Sequence, residues 1–267
     1  DKIAVISLTN RTEWNILDVG IMQIGAQNVP IYPTITEEDY AYILNHSESK
    51  YCFVSCAAVY DKIKAIRPQT SLVEVYSFNQ LADCLHFSAL LQMGADQSNQ
   101  KEVDALAQGV MPEDLATIIY TSGTTGHPKG ACLSHKGILL NVAMTALMHQ
   151  RSDRDTVVTA LPCPHVYGNV VMSGAIQNGM TLVLHPSFEE QTILRSIQAH
   201  KATLFEGVPT MFMFLLNHPD FNQYDLSSLR CCTVGGQTMP KPKMEEVEER
   251  FGCPLIELWG MTELGGL

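Results

Sequence analysis

The chain has 267 residues, of which 46% are hydrophobic and 17% are charged. This is the composition of an ordinary globular protein, with enough apolar material for one large domain or two small ones. The formal net charge of −11 argues against a nucleic-acid partner, because phosphate backbones are bound by basic surfaces.

Short β-branched runs alternate with longer amphipathic stretches along the whole chain, and the short runs predict strands. The predicted strands are Ile3–Leu8, Val29–Tyr32, Tyr51–Ser55, Leu72–Tyr76, Ala116–Tyr120, Val157–Ala160, Leu182–Leu184, Thr203–Glu206, Cys231–Val234 and Leu255–Trp259. The predicted helices are Glu13–Ala26, a helix starting at Thr36, Lys136–His149, Phe188–His200, Thr210–Asn217 and Lys241–Phe251.

Repeated strand–helix–strand order predicts an α/β protein with parallel sheets covered by helices. In such sheets ligands lie beyond the carboxyl ends of the strands. The polar, non-periodic stretch from Gly94 to Glu113 is interpreted as a surface connection. A charged run from Gln150 to Asp155 favours a division into subdomains 1–150 and 151–267.

We expect the chain to be a fragment of a longer protein, because it begins at Asp1 rather than at Met and ends at Leu267, just after a glycine pair. No charged-then-apolar leader precedes a small-residue cleavage site, so no signal peptide is expected. The most apolar long stretch, Gly137–Met148, is too short to span a bilayer. We therefore expect a cytoplasmic protein, with peripheral membrane contact left open.

The eight cysteines show no C-x-x-C pair. Cys231 and Cys232 are adjacent, and no spacing is typical of a zinc site. Buried, reduced thiols are favoured over a metal or redox site.

The chemistry is concentrated in the segment Tyr120–Gly130, YTSGTTGHPKG. Its glycines let successive backbone N–H groups turn inward to form an anion nest. Four hydroxyl side chains add donors, Lys129 adds a positive charge and Pro128 stiffens the exit. The segment predicts a cradle for a polyphosphate, and a flexible Gly/Thr-rich surface loop is the alternative.

Two familiar phosphate loops do not fit this segment. The pattern G-x-x-x-x-G-K-[ST] fails because Pro128 precedes Lys129, and G-x-G-x-x-G cannot be aligned either. The loop therefore belongs to neither the Walker nor the Rossmann type.

The segment YTSGTTGHPKG resembles the phosphate-binding signature of the adenylate-forming superfamily, which includes acyl- and aryl-CoA ligases, luciferases and peptide-synthetase adenylation domains. Three later stretches resemble that superfamily in the expected order. They are PCPHVYG at Pro162–Gly168, GGQTMP at Gly235–Pro240 and ELWGMTE at Glu257–Glu263. The early stretch VPIYPTITEEDYAYIL is similar to fatty acyl-CoA ligases. The resemblance covers essentially the whole chain.

The resemblance implies a large N-terminal domain, truncated, that uses ATP, Mg²⁺ and coenzyme A to activate a carboxylic acid through its acyl-adenylate. It implies catalytic roles for Lys129, Thr262 and Glu263, with Glu263 holding Mg²⁺. The implied ATP-binding residues are Thr121, Ser122, Gly123, Thr124, Thr125, Gly126, Lys129, Gly235, Gly236, Gln237, Glu257, Leu258, Trp259, Gly260, Met261 and Thr262. The implied acyl-site residues are His165, Val166, Gly168, Gly235 and Gly260.

Three positions depart from the family pattern. Trp259 stands where Tyr is usual, Gln237 where Ala is usual, and Leu258 where some relatives have Gly. Trp259 would stack on adenine or belong to the core, and His165 would be a gate or a satisfied core histidine. The segment MFMFLL at Met211–Leu216 would line an acyl tunnel or face the core, and the core is favoured because apolar helix stripes are usually buried.

Val166 occupies a position where amino-acid-activating relatives carry an acidic residue, so amino acids are disfavoured as substrates. The surroundings are apolar and flexible, which favours a medium- or long-chain fatty acid; they include Val170, Val171, Met172, Met211 and Met213. An aryl-CoA ligase and an acyl-AMP ligase that loads a carrier protein remain alternatives. Outside the family, the alternatives are a nucleotide hydrolase and an inert nucleotide-binding module. The ribose-binding aspartate and the C-terminal domain with its catalytic lysine should lie beyond Leu267, so we expect this chain alone to have little or no ligase activity.

Overall fold

A computed structural model describes residues 1–96, 98–122 and 126–266. The chain folds into two compact units, Asp1–Gly137 and Ile138–Leu267. Each unit contains one sheet whose strands are mostly parallel and are connected through helices. This confirms the α/β fold class, with sheet layers covered by helices.

The first unit carries a seven-stranded sheet in the order β5-β4-β3-β1-β2-β6-β7. Its strands are β1 Lys2–Ile6, β2 Gln27–Ile31, β3 Tyr51–Val54, β4 Glu74–Ser77, β5 Leu85–His86, β6 Leu115–Thr121 and β7 Lys129–Ser134. Its helices are α1 Thr12–Gln23, α2 Glu37–His46, α3 Ala57–Ile66, α4 Phe87–Asp96 and α5 Gln100–Gly109. All neighbouring strands pair in parallel except β6 and β7, which are antiparallel.

Helix α6, His135–Met148, continues into the second unit, which holds a five-stranded parallel sheet. The strands are β8 Thr156–Thr159, β9 Thr181–Leu184, β10 Leu204–Gly207, β11 Cys231–Val234 and β12 Leu255–Glu257, in the order β12-β11-β10-β8-β9. The remaining helices are α7 Val166–Gln177, α8 Glu190–His200, α9 Pro209–Asn217 and α10 Lys241–Phe251.

Each unit has its own hydrophobic core between sheet and helices. Tyr40, Leu44 and Ile63 are among the fully buried side chains of the first unit. Phe205 and Phe212 lie at the centre of the second core, with ring centroids 5.1 Å apart in an edge-to-face arrangement. Burying a side chain of this size contributes roughly 1.5–3 kcal/mol, so each unit can hold its sheet in place.

The predicted start of the second helix is confirmed by its cap. The Thr36 hydroxyl accepts a hydrogen bond from the Asp39 N–H at 3.1 Å, which satisfies a backbone donor left unpaired by the first turn. Helix α10 ends at Gly252 with φ +72, a left-handed conformation that glycine adopts without a steric cost.

The structure corrects one expectation for the fold, adds elements that were not predicted and confirms one interpretation. The stretch Gly94–Glu113 lies on the surface as expected, but it is not an irregular connection, because α4 and α5 occupy most of it. Strands β5 and β7 and helices α3 and α7 were not predicted either. The core interpretation of the Met211–Leu216 helix is confirmed for Phe212, Leu215 and Leu216, which are buried.

All eight cysteines are free thiols, and five of them are buried. No group of three or more His, Cys, Asp or Glu residues in the described ranges is placed to hold a metal ion. Across the same ranges, the model contains no helix with both the length and the apolar character needed to cross a bilayer.

Candidate functional site

The segment Tyr120–Gly130, which the sequence predicts to cradle a polyphosphate (the phosphate segment), spans the connection between the antiparallel strands β6 and β7. Thr121 ends β6 and pairs directly with Lys129, which begins β7. The hairpin therefore holds the ends of the segment in register across a seven-residue connection. Ser122 is exposed and Thr121 is half-buried, whereas the candidate residues Gly123, Thr124 and Thr125 lie outside the described residues.

Two glycines allow the hairpin to take this shape. Gly126 has φ +137, a conformation that residues with a Cβ rarely adopt. A Cβ on Gly130 would approach Ile118 Cγ2 to 2.7 Å, so the strand after Lys129 packs directly on β6.

Lys129 is exposed, and its ammonium has no ion-pair or hydrogen-bond partner among the described residues. A neighbouring lysine, Lys136, is paired with Glu113 at 3.3 Å. Lys129 is therefore a positive charge available to an anionic ligand at the open end of the hairpin.

Aromatic rings pack against the exit of the segment. His127 lies parallel to Tyr42 with ring centroids 4.4 Å apart, and Tyr42 stacks in turn on His46 at 5.2 Å. Nδ1 of His46 lies 2.8 Å from the hydroxyl of Tyr120, whose pKa burial raises to about 12. Sequence reasoning missed this group, since the ring of His46 contacts a residue 74 positions away and such distant pairs give no joint signal in one sequence.

In the second unit, the remaining candidate residues follow the carboxyl ends of parallel strands. The segment Pro162–Gly168 follows β8, Gly235–Gln237 follows β11, and Leu258–Glu263 follows β12. Because these strands are parallel, their carboxyl ends meet at one edge of the sheet, which is where such sheets bind ligands.

His165 caps helix α7; it belongs to the segment Pro162–Gly168, called the gate segment below. Nδ1 of His165 accepts a hydrogen bond from the Tyr167 N–H at 3.1 Å, and burial lowers the pKa of His165 below its ordinary value. The ring is therefore neutral at pH 7 and its Nδ1 lone pair is occupied. His165 has a structural role in this arrangement, and it is poorly suited to act as a general base through Nδ1.

The other gate residues are tightly packed. A Cβ on Gly168 would lie 2.2 Å from the Pro162 carbonyl oxygen, so only glycine fits there. Val166 is buried, together with Val170 and Val171 on the same helix. This helix therefore presents an apolar, sterically fixed wall beside the sheet edge.

The glycine turn after β11 rests on Tyr167. A Cβ on Gly235 would lie 3.1 Å from the Tyr167 ring and 3.4 Å from Leu258 Cβ. Gly236 has φ +85, while Gln237 is exposed beside it. These contacts bring the gate segment, the glycine turn and the start of the Leu258 segment together.

A buried charge network lies behind this turn, and sequence reasoning did not identify it. The Tyr167 hydroxyl is 2.9 Å from Thr233 Oγ1, which donates to Glu206 Oε2 at 3.0 Å. The other carboxylate oxygen of Glu206 is 2.9 Å from Arg151 NH2, and both side chains are 1% exposed. The available signal was a glutamate at the end of the predicted strand Thr203–Glu206, because a charge that is buried requires a partner.

The end of β12 and the residues after it contain one structural candidate and two accessible ones. The Glu257 carboxylate accepts a hydrogen bond from the Met239 N–H at 2.9 Å, which fixes the loop after the glycine turn. Trp259 is 77% exposed, so it does not belong to the core. Its indole face is available for stacking, and Gly260 beside it is also exposed.

The last candidates lie in a short closed turn. The Met261 N–H donates to the Gly266 carbonyl at 2.9 Å, and residues Thr262–Leu264 form a turn of 3₁₀ helix. Glu263 is exposed, and its carboxylate has no hydrogen-bond or ion-pair partner in the described ranges. A carboxylate that is not engaged elsewhere fits the oxygen-ligand chemistry of Mg²⁺.

Residues 1–267 match the sequence model of the AMP-binding enzyme family. The chain belongs to this family. Its relatives include the long-chain-fatty-acid–CoA ligase of Bacillus subtilis, 31% identical over 98% of this chain and 51% of that protein. 4-Coumarate–CoA ligase 1 of Petroselinum crispum is 29% identical over 98% of this chain and 48% of its own length. Indoleacetate–CoA ligase of Aromatoleum aromaticum is 31% identical over 90% of this chain and 46% of its own length. The chain thus spans about half the length of these relatives.

Solved structures show the same fold. The N-terminal domain of FACL13 from Mycobacterium tuberculosis aligns with a TM-score of 0.82 and 24% identity, over 100% of this chain and 64% of that one. FadD1, a long-chain-fatty-acid–CoA ligase from Archaeoglobus fulgidus, aligns with a TM-score of 0.83 and 23% identity, over 100% of this chain and 53% of that one. The resemblance to adenylate-forming enzymes inferred from the motifs is therefore confirmed.

Proposed function

We propose that this chain is the ATP- and acyl-binding part of an enzyme that activates a carboxylic acid. The acid's carboxylate attacks the α-phosphorus of ATP, pyrophosphate leaves, and acyl-AMP forms. The thiol of coenzyme A then attacks the acyl carbon, and AMP leaves as the thioester forms. The observation that carries the proposal is the Thr121–Gly130 hairpin, with its unengaged Lys129, in a chain of the AMP-binding family.

The first step concentrates negative charge on phosphate oxygens, so donors and cations supply most of the catalysis. The segment Thr121–Gly126 and Lys129 would hold the β- and γ-phosphates. Thr262 would donate to the α-phosphate, and Glu263 would hold Mg²⁺, which neutralises phosphate charge when bound. The acid needs no general base, because carboxylates are already ionised at pH 7.

The adenine would stack on Trp259, flanked by the turn Gly235–Gln237. Stacking on an exposed indole buries apolar area that the free protein leaves in water, and base–aromatic stacking is worth about 1–3 kcal/mol. Leu258, Gly260 and Met261 would complete this side of the nucleotide site. Glu257 would contribute by holding the Met239 backbone.

The acyl group would lie along the apolar wall of α7, beside His165, Val166 and Gly168, next to Gly235 and Gly260. A buried Val166 disfavours amino acids, because an ammonium group without an acidic partner is costly to bury. We favour a medium- or long-chain fatty acid as substrate, which would place the enzyme in cytoplasmic fatty acid metabolism.

An aryl acid is the second candidate, since relatives named for 4-coumarate and indoleacetate match about as well as the fatty-acid relative. A carrier-protein thiol in place of coenzyme A is a further alternative for the second step. Within the chain, we retain a division into parts 1–150 and 151–267 that carry the phosphate loop and the acyl and adenine sites.

The test is pyrophosphate release by the full-length protein, supplied with Mg-ATP and one acid at a time. The acids would span octanoate to stearate, 4-coumarate, indoleacetate and benzoate. Pyrophosphate should appear only when an acid is present, and coenzyme A should increase turnover. Orthophosphate release without any acid would instead indicate a nucleotide hydrolase.

Two variants with one control separate catalysis from simple binding. Lys129→Ala and Glu263→Ala should each lower the rate at least about 100-fold, because each removes a charge that stabilises the transition state. Lys136→Ala serves as control, since Lys136 is an exposed lysine already paired with Glu113. Nucleotide binding that survives both changes, in a protein that releases no pyrophosphate with any acid, would indicate an inert nucleotide-binding module. The chain alone should give little or no acyl-CoA, and measurable product would contradict that expectation.

A further inference from the structure

The packing of His127 against helix α2 suggests a role for Tyr42, a residue to which no site role has been assigned so far. Tyr42 is half-buried on α2, and His127 is exposed on the loop. Their rings are 4.4 Å apart and only 14° from parallel. An exposed ring held flat against a helix side chain is a contact that orders a loop segment rather than one that fills a core.

The same helix contacts both ends of the phosphate segment. Tyr42 and His46 are one helical turn apart and stack on each other at 5.2 Å, as residues four apart on a helix can. Tyr42 contacts His127 at the exit, and Nδ1 of His46 is 2.8 Å from the hydroxyl of Tyr120 at the entrance. Helix α2 therefore fixes the entrance through a hydrogen bond and the exit through ring stacking.

The contact between Tyr42 and His127 lies two residues before Lys129 in the chain, so it helps to fix the position of Lys129. Gly126 has φ +137, so the backbone turns sharply immediately before His127. Pro128 then restricts the backbone between His127 and the first residue of β7. With His127 released from Tyr42, the turn at Gly126 would lose its only described side-chain anchor on α2.

We propose that Tyr42 is a positioning residue for ATP, which acts by stacking on His127 and so holding the exit of the phosphate segment, Gly126–Pro128, in place beside Lys129. This inference rests on the proposed function, because it assumes that the hairpin binds a triphosphate. Without the stack the loop must be ordered at the moment of binding, and that ordering weakens affinity.

The test is a double-mutant cycle in the full-length protein, with Mg-ATP affinity measured by calorimetry. Tyr42→Leu and His127→Ala should each raise the Kd for ATP about 3- to 10-fold, the range expected from loss of one aromatic pair. The double variant should lose no more than the larger single loss, because both changes remove the same contact. Losses that add in the double variant would refute the stacking mechanism.

Further variants separate positioning from general destabilisation. Tyr42→Phe keeps the ring and should keep wild-type affinity. Tyr224→Leu is the matched control, since Tyr224 also contacts a histidine ring, His218 at 6.2 Å, in the other unit. In steady-state assays, Tyr42→Leu should raise KM for ATP with little change in kcat or in KM for the acid. Equal changes in both KM values would contradict a role confined to the loop.

Hydrogen exchange supplies a readout that does not depend on activity. Backbone amides of the peptide spanning residues 121–128 should exchange faster in Tyr42→Leu and His127→Ala, and at the wild-type rate in Tyr42→Phe. Absence of ATP binding by the unaltered protein would reject the proposed function. Unchanged affinity and unchanged exchange in Tyr42→Leu, with ATP binding intact, would reject only this inference.

Discussion

The buried histidine at the end of α6 predicts acid sensitivity in the second unit. His149 is 5% exposed, and its Nδ1 accepts a hydrogen bond from Arg151 NH2 at 3.1 Å. Burial, together with the charges of Arg151 and Arg230, lowers the pKa of His149 from 6.5 to about 4. The folded state therefore favours the neutral ring.

The sign and size of the effect follow from proton linkage. Between pH 6.5 and pH 4 the unfolded chain binds a proton at His149 that the folded chain does not. The contribution is complete above the unfolded pKa and is lost as the pH falls through this window. For pKa values of 6.5 unfolded and about 4 folded, the free energy of unfolding should fall by about 2 kcal/mol between pH 7 and pH 5.

His149→Asn isolates this term. The Asn side-chain oxygen can still accept from Arg151, but the residue no longer titrates. Urea unfolding followed by circular dichroism at pH 7 and pH 5 should show a smaller loss in the variant, by about 2 kcal/mol. His165 and His185, whose pKa values burial also lowers, are present in both proteins and cancel in the comparison.

His200→Asn is the control, since His200 is an exposed histidine at the end of α8. The carboxyl of Asp155 does not interfere, because its pKa is about 2 despite the opposing effect of burial, owing to hydrogen bonds from Arg230 and Thr203. An identical pH dependence in His149→Asn and the wild type would refute the reasoning.

Three further predictions follow from particular contacts. Gly168→Ala should lower the free energy of unfolding by about 1–3 kcal/mol, because the new methyl group would lie 2.2 Å from the Pro162 carbonyl oxygen. The control Gly20→Ala has nothing within 4 Å of the new methyl and should be neutral or stabilising by up to about 1 kcal/mol; urea titrations measure both variants. Arg151→Met should lower the free energy of unfolding by about 3–5 kcal/mol, because the Glu206 carboxylate then lies buried without its cation. The double variant Arg151→Met/Glu206→Leu should lose less stability, because no unpaired charge remains buried. A double variant at least as unstable as the single one would contradict this reasoning. Trp259→Ala should weaken ATP binding at least about 5-fold while leaving the melting temperature within about 2 °C; a large fall in melting temperature would instead indicate a packing role.

Elements with strong apolar periodicity were predictable from the sequence. Helix α10 and strand β11 have the predicted limits, and most other strands differ from prediction by one or two residues. Strand β11 is buried at all four positions, and strands buried on both faces leave short continuous apolar runs in a sequence. Helix α10 buries Val247 and Phe251, four residues apart, which is the helical period. Thr36 was recognisable as a helix start because its hydroxyl can reach an unpaired N–H.

Helices α4 and α5 were missed for a physical reason. Among the described residues of α5 none is buried, and in α4 only Phe87 is. The apolar residues Leu91, Met93 and Leu106 of these helices are exposed, so their apolar faces do not pack on the core, and the good helix formers in Gln100–Gly109 were the remaining signal. Strand β7 was hidden for a related reason, because it is an edge strand rich in small residues that pairs with only one neighbour.

For the candidate site, the sequence located the segments that carry the candidate residues, but it did not establish the role of each residue. The motifs located the hairpin, the gate and the glycine turn, but they did not show that His165 caps α7 or that Trp259 is exposed. Those facts depend on three-dimensional packing. The contacts of Tyr42 with His127 and of Arg151 with Glu206 join residues far apart in sequence, so a single sequence carries no joint signal for them.

The antiparallel pairing of β6 and β7 also has a consequence for how the chain folds. Hairpins close short loops and form within about 1–10 μs, whereas Thr117 contacts Asn28 across 89 residues. Pairing across such a separation is slow, because loop closure costs entropy before any contact forms. The phosphate hairpin should therefore assemble ahead of the sheet it joins, and β6 would dock beside β2 with its turn already formed.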